Sequence, residues 1–286
     1  MLRDVSDAAS AVPAGFAAVD QMPDPAMLVR AMDETSQWPA TVQLRRQAAT
    51  WLLSDSGQDF VDVGCGPGDA AIALAQEVAP AGRVVGIDAS QVMIDEATRR
   101  ASAAGVAGAA TDFRVGDAQD VGFEDETFDG CRSERTLQWV DSPEAALAEF
   151  KRVTRPGGTI VVIDTDWGTF APYHPDAATT LRIQAALFGR RPGFTVGRRL
   201  RSMFVIAGLA DVRVTAATHL MTDWDVATHP GPPGLPPLAM ILRGVAESGA
   251  VSQDEAVTWA QQLEQAARDG HYCASLTMFA VAGRKP

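Results

Sequence analysis

Phe60-Val61-Asp62-Val63-Gly64-Cys65-Gly66-Pro67-Gly68-Asp69, followed by Ala70-Ala71-Ile72-Ala73-Leu74-Ala75, decides how the rest of the chain is read. A short apolar run leads into a glycine-rich turn and then into strong helix formers. That order is the strand–turn–helix opening of a doubly wound α/β domain, in which ligands bind at the carboxyl ends of the strands. Gly64, Gly66 and Gly68 admit positive φ and let a ligand approach the main chain with no Cβ in the way. The same glycines also suit a plain tight turn.

A second stretch narrows the choice. Arg83-Val84-Val85-Gly86-Ile87-Asp88 reads as the next strand, and Asp88 ends it at the offset where an acid takes ribose hydroxyls. A dinucleotide would set its pyrophosphate on the N-terminus of the helix after the turn. Here Asp69 stands at that helix start, and the spacing is G-x-G-x-G, not G-x-G-x-x-G. A nucleoside without phosphates that carries positive charge suits such a turn better. S-adenosylmethionine is such a molecule.

Asp62-x-Gly64-x-Gly66-Pro67-Gly68 resembles motif I of the class I S-adenosylmethionine-dependent methyltransferases, especially the small-molecule enzymes of the ubiquinone/menaquinone-biosynthesis type. Val85-Gly86-Ile87-Asp88-Ala89-Ser90-Gln91-Val92-Met93, Gly116-Asp117-Ala118-Gln119 and Arg152-Val153-Thr154-Arg155-Pro156-Gly157-Gly158-Thr159 agree with it in order and spacing over about residues 41–165. The resemblance implies a Rossmann-like, doubly wound seven-stranded α/β sheet with the last strand antiparallel and helical cap elements. It implies cofactor contacts from Asp62, Gly64, Cys65, Gly66, Gly68, Asp88, Ala89, Met93 and Ser133, with Asp117 and Ala118 at the adenine edge. Arg46 is the arginine expected on the methionine carboxylate, the alternative being a solvated side chain. The expected organisation is an N-terminal helical cap over residues 1–40 and a methyltransferase domain over 41–286, with cap insertions at about 168–195 and 222–270.

Composition sets the outer limits. An apolar fraction of 47% in 286 residues allows a sizeable core, and the net charge of −12 argues against a nucleic-acid partner. No uncharged apolar run reaches the length of a membrane span, and acids stand near the N-terminus where a signal peptide would be apolar. Cys65, Cys131 and Cys273 are scattered, without C-x-x-C spacing, so neither a disulfide framework nor a zinc site is expected. The expectation is a cytoplasmic monomer or homodimer acting on a small-molecule acceptor.

Residues 1–20 read as frayed at the start. Helical spacing over residues 25–53 is divided at Pro39, which removes a helix bond. Trp38 beside the break is a candidate roof for the pocket or a tryptophan packed in a helix junction. Further strands are expected at 112–117, after 129 and ending within 131–139, at 159–165, at 211–221 and at 272–283. Helices are expected at 91–104, 143–153, 177–188, 196–209, 238–248 and 252–268. Ser142-Pro143-Glu144 and Ser252 with Glu255 mark two helix starts. The loop from Thr228 to Pro237 is too rich in proline for a helix or a central strand.

Chemistry should gather at the carboxyl ends of the fourth and fifth strands. Glu134 is a candidate base, a ligand for an ammonium group, or a helix N-terminal charge. Asp164, Asp166 and Glu134 raise a magnesium site, but the Asp-Asn pair of metal-dependent relatives is missing, so no metal is expected. Trp139, Trp167, Phe170 and Tyr173 are expected to line the acceptor. His174, titrating in the working range, is the candidate base for a hydroxyl. Arg190, Arg191, Arg198, Arg199 and Arg201 could grip a phosphate or simply lie on a wet helix face. The activity expected is methyl transfer to a small organic acceptor in specialised metabolism, with oxygen favoured over carbon or nitrogen. The alternative is a cyclase or rearrangement catalyst that uses the cofactor structurally.

Overall fold

The computed structural model describes residues 15–55, 59–108, 110–188, 192–229, 231 and 238–286. Its centre is a seven-stranded sheet with strand order β3-β2-β1-β4-β5-β7-β6. The strands are β1 (Asp59–Val63), β2 (Arg83–Asp88), β3 (Thr111–Val115), β4 (Phe128–Glu134), β5 (Thr154–Pro172), β6 (Ala210–Met221) and β7 (Ala274–Arg284). The first five run parallel, and β7 is antiparallel to both β5 and β6. The chain order reverses direction at β1, so the crevice beyond β1 and β4 is the place where such sheets bind ligands.

Period-two alternation explains why the sheet is buried on both faces. Phe60, Val161 and Ile163 point toward α2 (Pro39–Asp55), with Leu44 and Leu52. Val61, Val63, Ile160 and Val162 point the other way, toward Leu147 and Phe150 of α5 (Pro143–Val153) and Leu200 and Phe204 of α7 (Val196–Ile206). Each of these large side chains stabilises the fold by about 1.5–3 kcal/mol relative to exposure.

Helix starts follow the sequence signals. Ala145 N–H donates to Ser142 Oγ at α5, and Met93 N–H to Ser90 Oγ at α4 (Gln91–Ala103). Ser252 and Glu255 form a full capping box at the helix Gln253–Arg268, here α9. Proline does divide α1 (Pro25–Ser36) from α2, as expected.

Several strand limits differ from the expectation: β5 begins at Thr154, not 159, and β7 at Ala274, not 272. β3 stops at Val115, and β5 runs on to Pro172. The extension exists because β7 supplies edge partners, Ala171 opposite Ser275 and Pro172 opposite Ala274, after a register shift beyond Asp166. Trp167 and Phe170 therefore lie in the sheet. Residues 1–14, Arg190, Arg191, Pro230 and the prolines at 232–237 lie outside the described residues. Among the described residues, no helix is long and apolar enough to cross a membrane.

Candidate active site

The turn after β1 is built by the backbone itself. Gly64 and Cys65 N–H both donate to Ile87 O, at 2.7 and 2.9 Å, tying the turn to β2. Gly64 and Gly66 have φ of +74° and +53°, where a side chain is strained. Asp88, at the end of β2, accepts from Gly66 N–H and Ser90 N–H, each at 2.9 Å. Burial pushes its carboxyl above the ordinary range, against those two amides. Each oxygen retains a second acceptor position.

Beside the turn lies a buried ionic cluster assembled from three elements. Arg132 of β4 donates to Asp62 Oδ2 of β1 at 2.8 Å and to Glu134 Oε2 at 2.9 Å. Arg45 of α2 grips Glu134 through both oxygens, at 2.7 and 2.8 Å. Burial opposes the Glu134 charge, but Arg45, Arg135 and Arg132 together hold its carboxyl down at about 2. Asp62 is 1% exposed, and its second oxygen, Oδ1, has no partner. Burial pushes the Asp62 carboxyl up, and Arg132 resists. These residues line a narrow cleft together with Met32, Ser36, Gly64, Cys65 and Asp69.

The N-terminal segment packs beside the glycine turn, on α4. A 3-10 segment, Gly15–Gln21, lays Asp20 on the start of α4, where its carboxylate accepts from Ser90 Oγ, Gln91 N–H and Val92 N–H. A carboxylate at a helix N-terminus is favoured by the dipole and by the unpaired amides. Met93 is buried under this segment with Val19 and Leu28. Met32 of α1 reaches the turn so closely that a Cβ on Gly66 would lie 2.4 Å from its Cε.

Past β4 and β5 the rings form a continuous wall. Phe16 meets Trp139 (5.5 Å between centroids), Trp139 meets Phe194 (5.6 Å), and Trp167 meets Phe188 (6.0 Å), which also touches Phe170. Gln138 ties the wall to the β4 turn. Its Oε1 accepts from Trp167 Nε1, and its Nε2 donates to Arg135 O at 3.0 Å.

The structure thus brings Asp62, Gly64, Cys65 and Glu134 to one cleft, with Gly66 and Asp88 hydrogen-bonded to each other at the turn beside it and Trp139, Trp167 and Phe170 on the adjoining wall. Gly68, in the left-handed region at φ +88°, opens α3 (Asp69–Val78). Ser133 Oγ donates to Val63 O inside the sheet, Ala89 is exposed, and Asp117 is exposed with Ala118 buried beside it.

Other expectations are corrected. Arg46 is exposed on the far side of α2, because adjacent helical residues point about 100° apart; Arg45 is the one that faces the cleft. His174 is 7% exposed, and both ring nitrogens are engaged: Asp176 N–H donates to Nδ1, and Nε2 pairs with Trp259 O, both at 3.1 Å. It bridges β5 to α9 and offers no free basic nitrogen. Glu134, held near 2 by arginines, is equally unsuited to take a proton at neutral pH. Trp38 stacks on His219 at 3.9 Å, in the helix junction, and Tyr173 is 68% exposed. Asp166 is paired with Arg198, and Arg199 with Glu144, which occupies those members of the basic run. No group of three or more metal-ligating His, Cys, Asp or Glu occurs among the described residues.

Sequence reasoning set Arg45 beside Arg46 and chose Arg46, and it missed Arg132, Arg135, Met32, Phe188, Phe194 and Asp20. The alternation Arg132-Ser133-Glu134-Arg135 at a strand end was the one available signal for the ionic cluster.

Comparison with known proteins follows the same outline. Residues 61–162 match the family model described as a methyltransferase domain. A demethylmenaquinone methyltransferase of Staphylococcus aureus is 32% identical over 178 residues, spanning 57% of this chain and 72% of that protein. The chain spans about half the length, 49% and 51%, of two further curated relatives that it matches. In fold it is similar to the YcgJ protein of Bacillus subtilis (TM-score 0.56, 19% identity, 85% of this chain and 98% of that one). It is also similar in fold to the [4+2]-cyclase SpnF (TM-score 0.51, 21% identity, 86% and 82% covered).

Proposed function

We propose that this chain, which belongs to the class I S-adenosylmethionine-dependent methyltransferases, transfers the cofactor's methyl group to a small aromatic acceptor, at oxygen in preference to carbon or nitrogen. The observation that carries the reading is the cleft at the glycine turn, with the unpartnered Asp62 Oδ1 in its lining and Asp88 hydrogen-bonded to Gly66 beside it. A buried carboxylate oxygen without a partner suits an ammonium group, and the bare backbone of Gly66, with the flexible tip of Met32 against it, suits a close-lying nucleoside. These residues fit the cofactor.

On this reading Asp88 takes the ribose hydroxyls, Asp62 the ammonium, and Asp117 with Ala118 the adenine edge. Ser133 holds the end of β4 against β1. Residues 15–40 close over the cofactor, and the insertions at about 168–195 and 222–270 shape the acceptor side. The bound cofactor supplies an electrophilic methyl group on a positively charged sulfur. The chain's own work is to align the acceptor and exclude water, and the ring wall serves both ends. The relative from Staphylococcus aureus is named for a quinone acceptor, which agrees with an aromatic wall. An acceptor side shaped by insertions supports a place in specialised metabolism. The net charge of −12 supports a small molecule in preference to nucleic acid.

Incubating the purified protein with methyl-labelled cofactor and a panel of phenols, hydroquinones and amines tests the reading. Label in a phenol or hydroquinone product, with S-adenosylhomocysteine released, is the expected result. Cofactor binding with no transfer to any acceptor would move the cyclase alternative ahead.

A further inference from the structure

The buried cluster carries more positive charge than its acids balance. Glu134 spends both oxygens on Arg45 and Arg132, and Arg132 spends its remaining contact on Asp62. Arg135 is left with Glu134 Oε1 at 3.5 Å and a bond from Nη1 to the neutral Thr35 Oγ1 at 2.6 Å. The side chain is nonetheless only 16% exposed. Burial works against both Arg45 and Arg135. At Arg45 the Glu134 charge more than offsets it, whereas Arg135 stays below its ordinary range. The other charged groups that act on Arg135 are Arg45 of α2 and Asp164 of β5. Asp164 gives weak compensation: burial pushes its carboxyl up to about 7, against backbone N–H groups of Thr165 and Gln138.

Arg135 is also strained. Its φ is +54°, in the left-handed region that ordinary side chains avoid. Its N–H donates to Ile163 O at 2.7 Å, so the strand end of β5 pins the backbone there. A strained backbone that aims an under-compensated buried cation is an arrangement that function, not packing, explains. The aim has a direction. Arg135 lines the cleft with Gly64 and Ser36, and its backbone carbonyl accepts from Gln138, which holds Trp167, so the cation stands where the cleft adjoins the ring wall.

We infer that Arg135 binds an anionic oxygen of the acceptor, and that the acceptor is a phenol or enol that reacts as its own anion. This deepens the methyl-transfer reading and rests on it. It also answers the chemical gap left by His174 and Glu134, neither of which can take a proton. The acceptor releases its O–H proton to solvent, and Arg135 holds the resulting O⁻. That oxygen then donates an electron pair to the methyl carbon while the C–S bond breaks and its pair returns to sulfur. The charges of acceptor and sulfonium vanish together, and Arg135 keeps its proton throughout.

The test is spectroscopic. The probe is 4-nitro-1-naphthol, whose colour reports its ionisation, bound to the protein with S-adenosylhomocysteine present. A cation within about 4–6 Å lowers an acid's pKa by about 1–3 units, so on the wild-type protein the probe should ionise at least one unit below its midpoint in buffer. Arg135→Asn, which tolerates the left-handed backbone, should return the midpoint to the free value, and Arg135→Lys should restore part of the shift. Affinity for S-adenosylhomocysteine should stay within about twofold in both variants. A probe that fails to bind, or that titrates alike on wild type and Arg135→Asn, overturns the inference while leaving methyl transfer standing. So does a large loss of S-adenosylhomocysteine affinity in Arg135→Asn, because the charge then serves the cofactor's carboxylate. If the wild-type protein does not bind S-adenosylhomocysteine at all, the methyl-transfer reading falls, and this inference with it.

Discussion

Replacing Glu134 by glutamine removes one charge from the centre of the buried cluster, and the structure sets the size of the effect. The Glu134 side chain is 7% exposed, and its carboxyl is held at about 2 against an ordinary 4.5. A difference of roughly 2.5 units at about 1.4 kcal/mol per unit makes the ionised group worth about 3 kcal/mol to the folded state. That matches the cost of about 3–5 kcal/mol for breaking a buried ion pair and stranding its partner, here Arg45. Because the folded pKa is the lower one, the contribution is complete above pH 4.5 and is lost as pH falls toward 2. Urea unfolding of wild type and Glu134→Gln should therefore differ by about 3 kcal/mol at pH 7, and the gap should close between pH 4.5 and 2. A gap under about 1 kcal/mol at pH 7, or one that stays constant down to pH 3, would refute the reasoning.

Gly66→Ala places a Cβ against Met32 at a left-handed position; since the Met32 tip can yield, the melting temperature should change modestly while S-adenosylhomocysteine affinity by calorimetry falls at least about tenfold. His174→Ala breaks the link to Trp259 and Asp176, so it should cost about 2–3 kcal/mol of stability and leave cofactor affinity unchanged; a large loss of turnover at unchanged stability would reinstate the histidine as a base. Asp164 runs opposite to Glu134 in pH: its carboxyl is raised from 3.8 to about 7, so the fold prefers the neutral acid, and stability should fall by up to about 4 kcal/mol as pH rises from 4 to 7. Asp164→Asn should abolish that slope in pH-dependent unfolding, and an unchanged slope would show that another group titrates there.

What the sequence determined by itself is local. Phe60 to Asp69 is a strand, a turn that needs glycine and a helix start because apolar periodicity, positive φ and helix propensity all act within ten residues. Asp88 was legible for the same reason, standing one strand later on the neighbouring register. Ser142 and Ser252 announced their helices through side-chain caps that span three residues. The rest depended on partners far away in the chain. β5 outlasts its expected end because β7, about a hundred residues later, pairs with it. Arg45 and Arg46 are equivalent in sequence, and only the rotation of α2 against the sheet turns Arg45 toward Glu134, 89 residues on. His174 reads as a free base until Trp259, 85 residues further on, occupies its Nε2. Arg135 and Thr35 meet across 100 residues. Secondary structure follows from short-range sterics and hydrogen bonding, whereas the charge state and availability of a side chain are set by whichever groups the tertiary fold packs against it, and a linear pattern carries no record of those neighbours.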